Sequence, residues 1–132
     1  MSDIEINVQQ ALGASGGALN LLVTLYVPTR NRDGDPIGDA AAWLEEGLEL
    51  LSEAGGGATA MLAEGAWLNP DSDALIREAV HLVYAYVAPQ AFELALPNLR
   101  EYLHRLGRET DQGEVVLEIS GRLYRIQQFD RA

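Results

Sequence analysis

The chain has 132 residues, enough for one hydrophobic core, and its 48% hydrophobic and 22% charged composition is that of an ordinary globular protein. It has no cysteine, which excludes a disulfide framework, a thiolate metal site and a thiol nucleophile. Twenty acidic side chains face nine basic ones, all arginine, for a net charge of −11, a field that repels phosphate backbones and argues against nucleic acid as a partner.

Residues 1–20 read as an N-terminal arm, and residues 21–132 as a single folded domain. In the arm, Ile4, Ile6 and Val8 alternate with Glu5, Asn7 and Gln9, the period of an additional strand. The arm lacks the basic and apolar regions of a signal peptide. No apolar run approaches the roughly 20 residues that cross a membrane. A cytoplasmic location with no membrane association is the expectation.

An apolar run from Leu21 to Val27 predicts the first strand, and Pro28 ends it. The following loop, Asn31-Arg32-Asp33-Gly34-Asp35-Pro36, is rich in turn formers. It fails as a calcium loop, because the sixth position is Pro36 and the twelfth is Ala42. Asp35 or Asp39 can cap a helix that carries Leu44, Leu48 and Leu51 on one stripe, widened by Trp43 and Gly47. Gly55-Gly56-Gly57 stops that helix.

Two alternating runs, Ala58 to Leu68 and Leu75 to Val87, predict a hairpin about an Asn69–Ala74 loop. The register sets Leu68 opposite Leu75, Trp67 opposite Ile76 and Gly65 opposite Glu78. One face then carries Thr59, Met61, Gly65, Trp67, Ile76, Glu78, Val80, Leu82, Tyr84 and Tyr86. The other carries Leu62, Glu64, Leu68, Arg77, Ala79, His81 and Val83. Both faces are substantially apolar, whereas an antiparallel sheet solvated on one side alternates more cleanly. A second subunit, or the arm, is expected to cover the face that the helices leave open.

A second helix starts near Pro89, with Phe92, Leu96, Leu99, Leu103 and Leu106 on its stripe. Pro97 is expected to kink or split it, Gly107 to end it, and His104 to lie on its exposed side. A last strand at Val115–Ile119 leads into Ser120-Gly121, a hairpin-type turn that lets residues 123–126 return as an edge strand. The order strand, helix, strand, strand, helix, strand is that of a ferredoxin-like split βαβ sandwich. The expected fold is therefore α+β: a four-stranded antiparallel sheet with two helices on one face, open to extra edge strands at both ends.

Glu64, Arg77 and His81 share a face in the hairpin register. A carboxylate beside an imidazole is one way to build a general base, and a cross-strand ion pair with a histidine nearby is the plainer alternative. Glu78 sits mid-strand between Ile76 and Val80, where a carboxylate is costly unless paired. Gly65 opposite leaves room for a ligand. Glu78 and His81 are thus the catalytic candidates. Thr59, Gly65, Trp67, Glu78, Tyr84 and Gln112 are the candidate pocket residues, with no cofactor or metal site expected. His81 and His104 lack metal-ligand spacing, and the glycine triplet lies between helix and strand, the wrong context for cradling phosphate.

Gly57-Ala58-Thr59, Gly65-Ala66-Trp67, Glu78 and Thr110-Asp111-Gln112 followed by Val115 resemble small bacterial domains of ferredoxin-like type, a family without an established activity to carry over. The resemblance implies the fold and a role for Thr59, Trp67, Glu78 and Gln112. Charge and the lack of catalytic motifs together favour a small acidic binding or regulatory module, a homodimer with a basic protein partner. The alternative is a cofactor-free enzyme or small-molecule-binding protein with a sheet-face pocket around Glu78.

Overall fold

The apolar run at Leu21–Pro28 forms β1, the middle of the sheet, and its alternation buries Val23, Leu25 and Val27 completely. Both of its edges are taken. In this computed structural model, which describes residues 7–17 and 19–132, β1 pairs antiparallel with β3 (Leu75–Val87) and with β4 (Val115–Ile119). The strand β2 (Thr59–Leu68) lies outside β3, and β5 (Arg122–Ile126) lies outside β4. The order is β2-β3-β1-β4-β5, one antiparallel sheet in an α+β fold with three described helices. It has five strands rather than four because the C-terminal run does turn back: Ser120 and Gly121 both take positive φ, 49° and 87°, as a tight hairpin turn demands.

Two helices cover one side. The first long one, α2 (Ala40–Gly55), buries Trp43, Gly47 and Leu51 over β1 and β3. Asp39 precedes it, but its carboxylate accepts the Trp43 indole N–H at 3.2 Å instead of capping the backbone. Gly56, at φ 86°, ends the helix with its N–H on the Ser52 carbonyl. The second, α3 (Pro89–Glu109), buries Leu99, Tyr102, Leu103 and Leu106. Fully burying a side chain of this size contributes about 1.5–3 kcal/mol. The Tyr102 hydroxyl donates to the Trp43 carbonyl at 2.8 Å and joins the two helices. Arg105 lies 4.9 Å over the Trp43 ring and bonds both Glu46 and Glu101.

Three local expectations change. Pro97 does not split α3, which is one element of 21 residues; Glu93 and Pro97 are both exposed, so the carbonyl that loses its bond faces water. Gly107 does not end the helix but lies inside it, against the ring of Phe129. His104 is buried, at 9% exposure, because the C-terminal segment folds over it: its Nδ1 accepts the Asp130 N–H at 2.7 Å.

The arm differs as well. Residues 8–12 form a short helix, α1 (Val8–Leu12), rather than a strand. Asn7 caps it by accepting the Gln10 N–H at 2.9 Å, and Gly13, at φ 68°, closes it. These local caps outweigh the alternation. The other part of the predicted strand, residues 3–6, lies outside the described residues. Among the described residues no helix is long and apolar enough to cross a membrane.

Candidate functional site

The β2–β3 hairpin forms in the predicted register: Leu68 pairs with Leu75, Trp67 with Ile76, Gly65 with Glu78 and Glu64 with Ala79. It reaches beyond the helix layer, so Leu62, Leu68 and Leu75 are exposed although they share a face with buried Val83. Where the hairpin meets the end of β1, a solvent-open groove of about 490 Å³ is lined by Thr29, Arg30, Leu62, Ala63, Glu64, Arg77, Glu78 and Ala79. That volume is in the range of small-molecule sites.

Glu64 and Arg77 make the cross-strand ion pair in the groove, with both side chains more than 60% exposed. His81 lies further along the same side of β3, opposite Leu62 and Val27, and is half-buried. Strand alternation sends Glu78 and Gly65 to the other, open face of the sheet. Glu78 is half-buried and borders the groove through its strand, but its side chain belongs to the opposite face from that of its neighbour Arg77.

Thr59, Gly65, Trp67, Glu78 and Tyr84 do share the open face, but they do not form one pocket. Thr59 pairs with Tyr84, whereas Gly65 pairs with Glu78, six residues along the same strands. At about 3.3 Å per residue the two pairs stand ~20 Å apart. Trp67 lies with Gly65 and Glu78.

Gln112 is on neither face. It is buried in the turn after α3, where its amide donates to the Arg30 carbonyl at 2.9 Å and to Thr110 Oγ1 at 3.1 Å. Its own carbonyl accepts Arg32 Nη2 at 2.8 Å, and Arg32 pairs with Asp111 at 3.1 Å. Thr29 Oγ1 donates to the Ala79 carbonyl at 2.6 Å, and Arg30 Nη1 to the Gly34 carbonyl at 2.8 Å. These bonds bolt the Thr29–Pro36 loop to the rest of the fold and hold Arg30 at the groove. Gln112 thus meets the groove only through its bond to the backbone carbonyl of Arg30. The part of Thr29 and Arg30 was missed in the sequence, where the only signal was the turn-rich loop that follows Pro28.

No family model matches the chain, and no curated protein matches it. Solved structures do. A phage SAM lyase in complex with S-methyl-5'-thioadenosine is 14% identical, with a TM-score of 0.58 over 86% of this chain and 93% of that one. A phage SAM lyase in the apo state is 13% identical, with a TM-score of 0.58 over 90% of this chain and 100% of the other. At these identities the likeness is one of fold.

Proposed function

We propose that this protein is a small-molecule enzyme, and that its groove takes a sulfonium amino acid of the SAM type for a lyase reaction. The fold is then a ferredoxin-like split βαβ sandwich with β5 added at one edge, and a cytoplasmic location suits such a substrate. One observation carries the reading. In a fold of this likeness, the groove holds an exposed Arg77–Glu64 pair beside a second guanidinium, Arg30.

An exposed ion pair contributes only about 0–1 kcal/mol. A ligand with both a carboxylate and an ammonium can therefore replace each half at little cost, and the amino-acid end of SAM has both. Its carboxylate would go to Arg77 and Arg30, and its ammonium to Glu64. The sulfonium adds a further positive charge, which the Glu64 carboxylate in the groove and the net −11 of the chain both attract. Leu62, exposed at the groove wall, supplies apolar surface for the nucleoside.

Cleaving a sulfonium C–S bond sends the bonding pair to sulfur and leaves a neutral thioether. The carbon that loses sulfur gains electrons from the substrate's own carboxylate, or from loss of an adjacent proton. Atoms balance without water, as a lyase requires.

Calorimetric titration with SAM tests the site. Stoichiometric binding that Arg77→Gln weakens about 10-fold supports the groove, since losing one charged hydrogen bond costs about 1.5–3 kcal/mol. No binding at millimolar SAM would remove this reading and return the acidic surface to the role of docking site for a basic protein.

A further inference from the structure

We infer that the open face of the sheet is a self-association surface, covered by the same face of a second copy of this chain. Its middle carries Tyr26, Leu82, Tyr84 and Met61, with Tyr86 towards one end and Trp67 at the hairpin end. Met61, Trp67 and Tyr86 are 48%, 49% and 51% exposed, and no described element packs on them. An antiparallel sheet facing water would carry polar residues at these positions.

The charge distribution says what covers it. Exposed acids crowd the helix layer, at Glu45, Glu49, Glu53, Glu101 and Glu109. The alternation leaves the strands of the open face with only Glu78, Glu118 and Arg125 as charged residues. One of these is already engaged, Arg125 bonding Glu114 at 2.8 Å, and Glu118 stands diagonally across from Tyr26 on the neighbouring strand. A basic partner would be drawn to the helix layer and gain little here. Two copies of a chain with net charge −11 repel each other through every other surface. Through this near-neutral face the repulsion is weakest, and tyrosine, tryptophan and methionine enrichment with charge depletion is the composition of an interface core.

The area also fits. The strands run from 5 to 13 residues, so at about 3.3 Å per residue and ~4.8 Å between strands the face covers on the order of 650 Å². A standard interface buries about 800 Å² per partner. The five-residue helix α1 is far too small to cover it. Two identical faces meeting about a two-fold axis satisfy each other.

Size-exclusion chromatography with light scattering on the full chain at micromolar concentration tests this. A mass of twice 14.3 kDa is expected, retained when salt is raised from about 0.15 M to 1 M, because salt screens the repulsion and not the apolar contact. The double variant Met61→Glu/Tyr86→Glu should return the mass to one chain with unchanged far-UV circular dichroism, as should Trp67→Arg. Leu94→Glu, at an exposed position on the helix layer, should leave the pair intact. A single-chain mass for the unaltered protein would overturn the inference, as would a pair that survives the face substitutions or is lost with Leu94→Glu.

Discussion

The ring of Phe129 fills the place where a Cβ on Gly107 would stand, with three ring atoms 2.2, 2.3 and 2.6 Å from that point. A helix-interior glycine thus opens a notch in α3 that seats the C-terminal segment. Phe129 meets His104 edge-on at 6.2 Å between centroids, and Asp130 takes Arg100 in two bonds of 2.8 and 2.9 Å. The glycine weakens the helix by about 1 kcal/mol relative to alanine, and the packing of the tail offsets this.

Gly107→Ala should therefore destabilise the protein by about 1–3 kcal/mol, the usual cost of overpacking, despite the gain in helix propensity. In a Phe129→Ala background the same change should be neutral, or stabilising by up to ~1 kcal/mol. Urea unfolding of the four proteins measures this. Equal costs in both backgrounds would mean that the notch does not serve the ring.

Gly55 has the same role against backbone. A Cβ there would stand 2.7 Å from the Tyr86 carbonyl oxygen and 3.3 Å from the Ala85 Cβ. A carbonyl inside a strand cannot swing away as a side chain can, so Gly55→Ala must push α2 off β3, at about 1–3 kcal/mol. Gly56→Ala meets open space but keeps φ at 86°, which costs about 1–2 kcal/mol. Thermal melts should rank both variants below the unaltered protein, with Gly55→Ala also loosening the contact of α2 with β3 in hydrogen exchange.

The hairpin register is legible in the sequence because Asn69 to Ala74 bounds the turn and apolar residues alternate on both sides of it. Asn69 closes that loop with its N–H on the Ala74 carbonyl at 2.9 Å. The burial of His104 and the place of Gly107 are not legible, since both depend on one aromatic residue in a tail without periodicity. Pro97 misleads because its cost depends on whether the orphaned carbonyl meets water, a property of the tertiary structure. Thr59 and Tyr84 share a face with Glu78, as alternation requires, but alternation carries no information on distance along the strand. Gln112 is marked by its resemblance alone, and its work is to hold Arg30 through a contact 82 residues apart in the chain.

Tyr102 gives the protein an alkaline limit. Burial, with the Glu46 carboxylate adding to it, holds the hydroxyl well above its ordinary pKa of 10.0. The folded chain keeps this proton after the unfolded chain has lost it, so the stabilisation is complete below pH 10 and falls as pH rises further. Tyr102→Phe should cost about 1 kcal/mol at neutral pH, from the lost bond to the Trp43 carbonyl. It should also flatten the decline above pH 10, measured as urea midpoints across the alkaline range. A decline as steep in the variant would place the titrating group elsewhere.

The most direct test of the proposed activity is to incubate the purified protein with SAM and follow release of S-methyl-5'-thioadenosine by chromatography. Release above the uncatalysed background is the predicted result, reduced about 10-fold or more by Arg77→Gln in the groove, in line with the loss of a charged hydrogen bond. No release from folded protein, or release that Arg77→Gln leaves unchanged, would contradict a lyase acting in this groove.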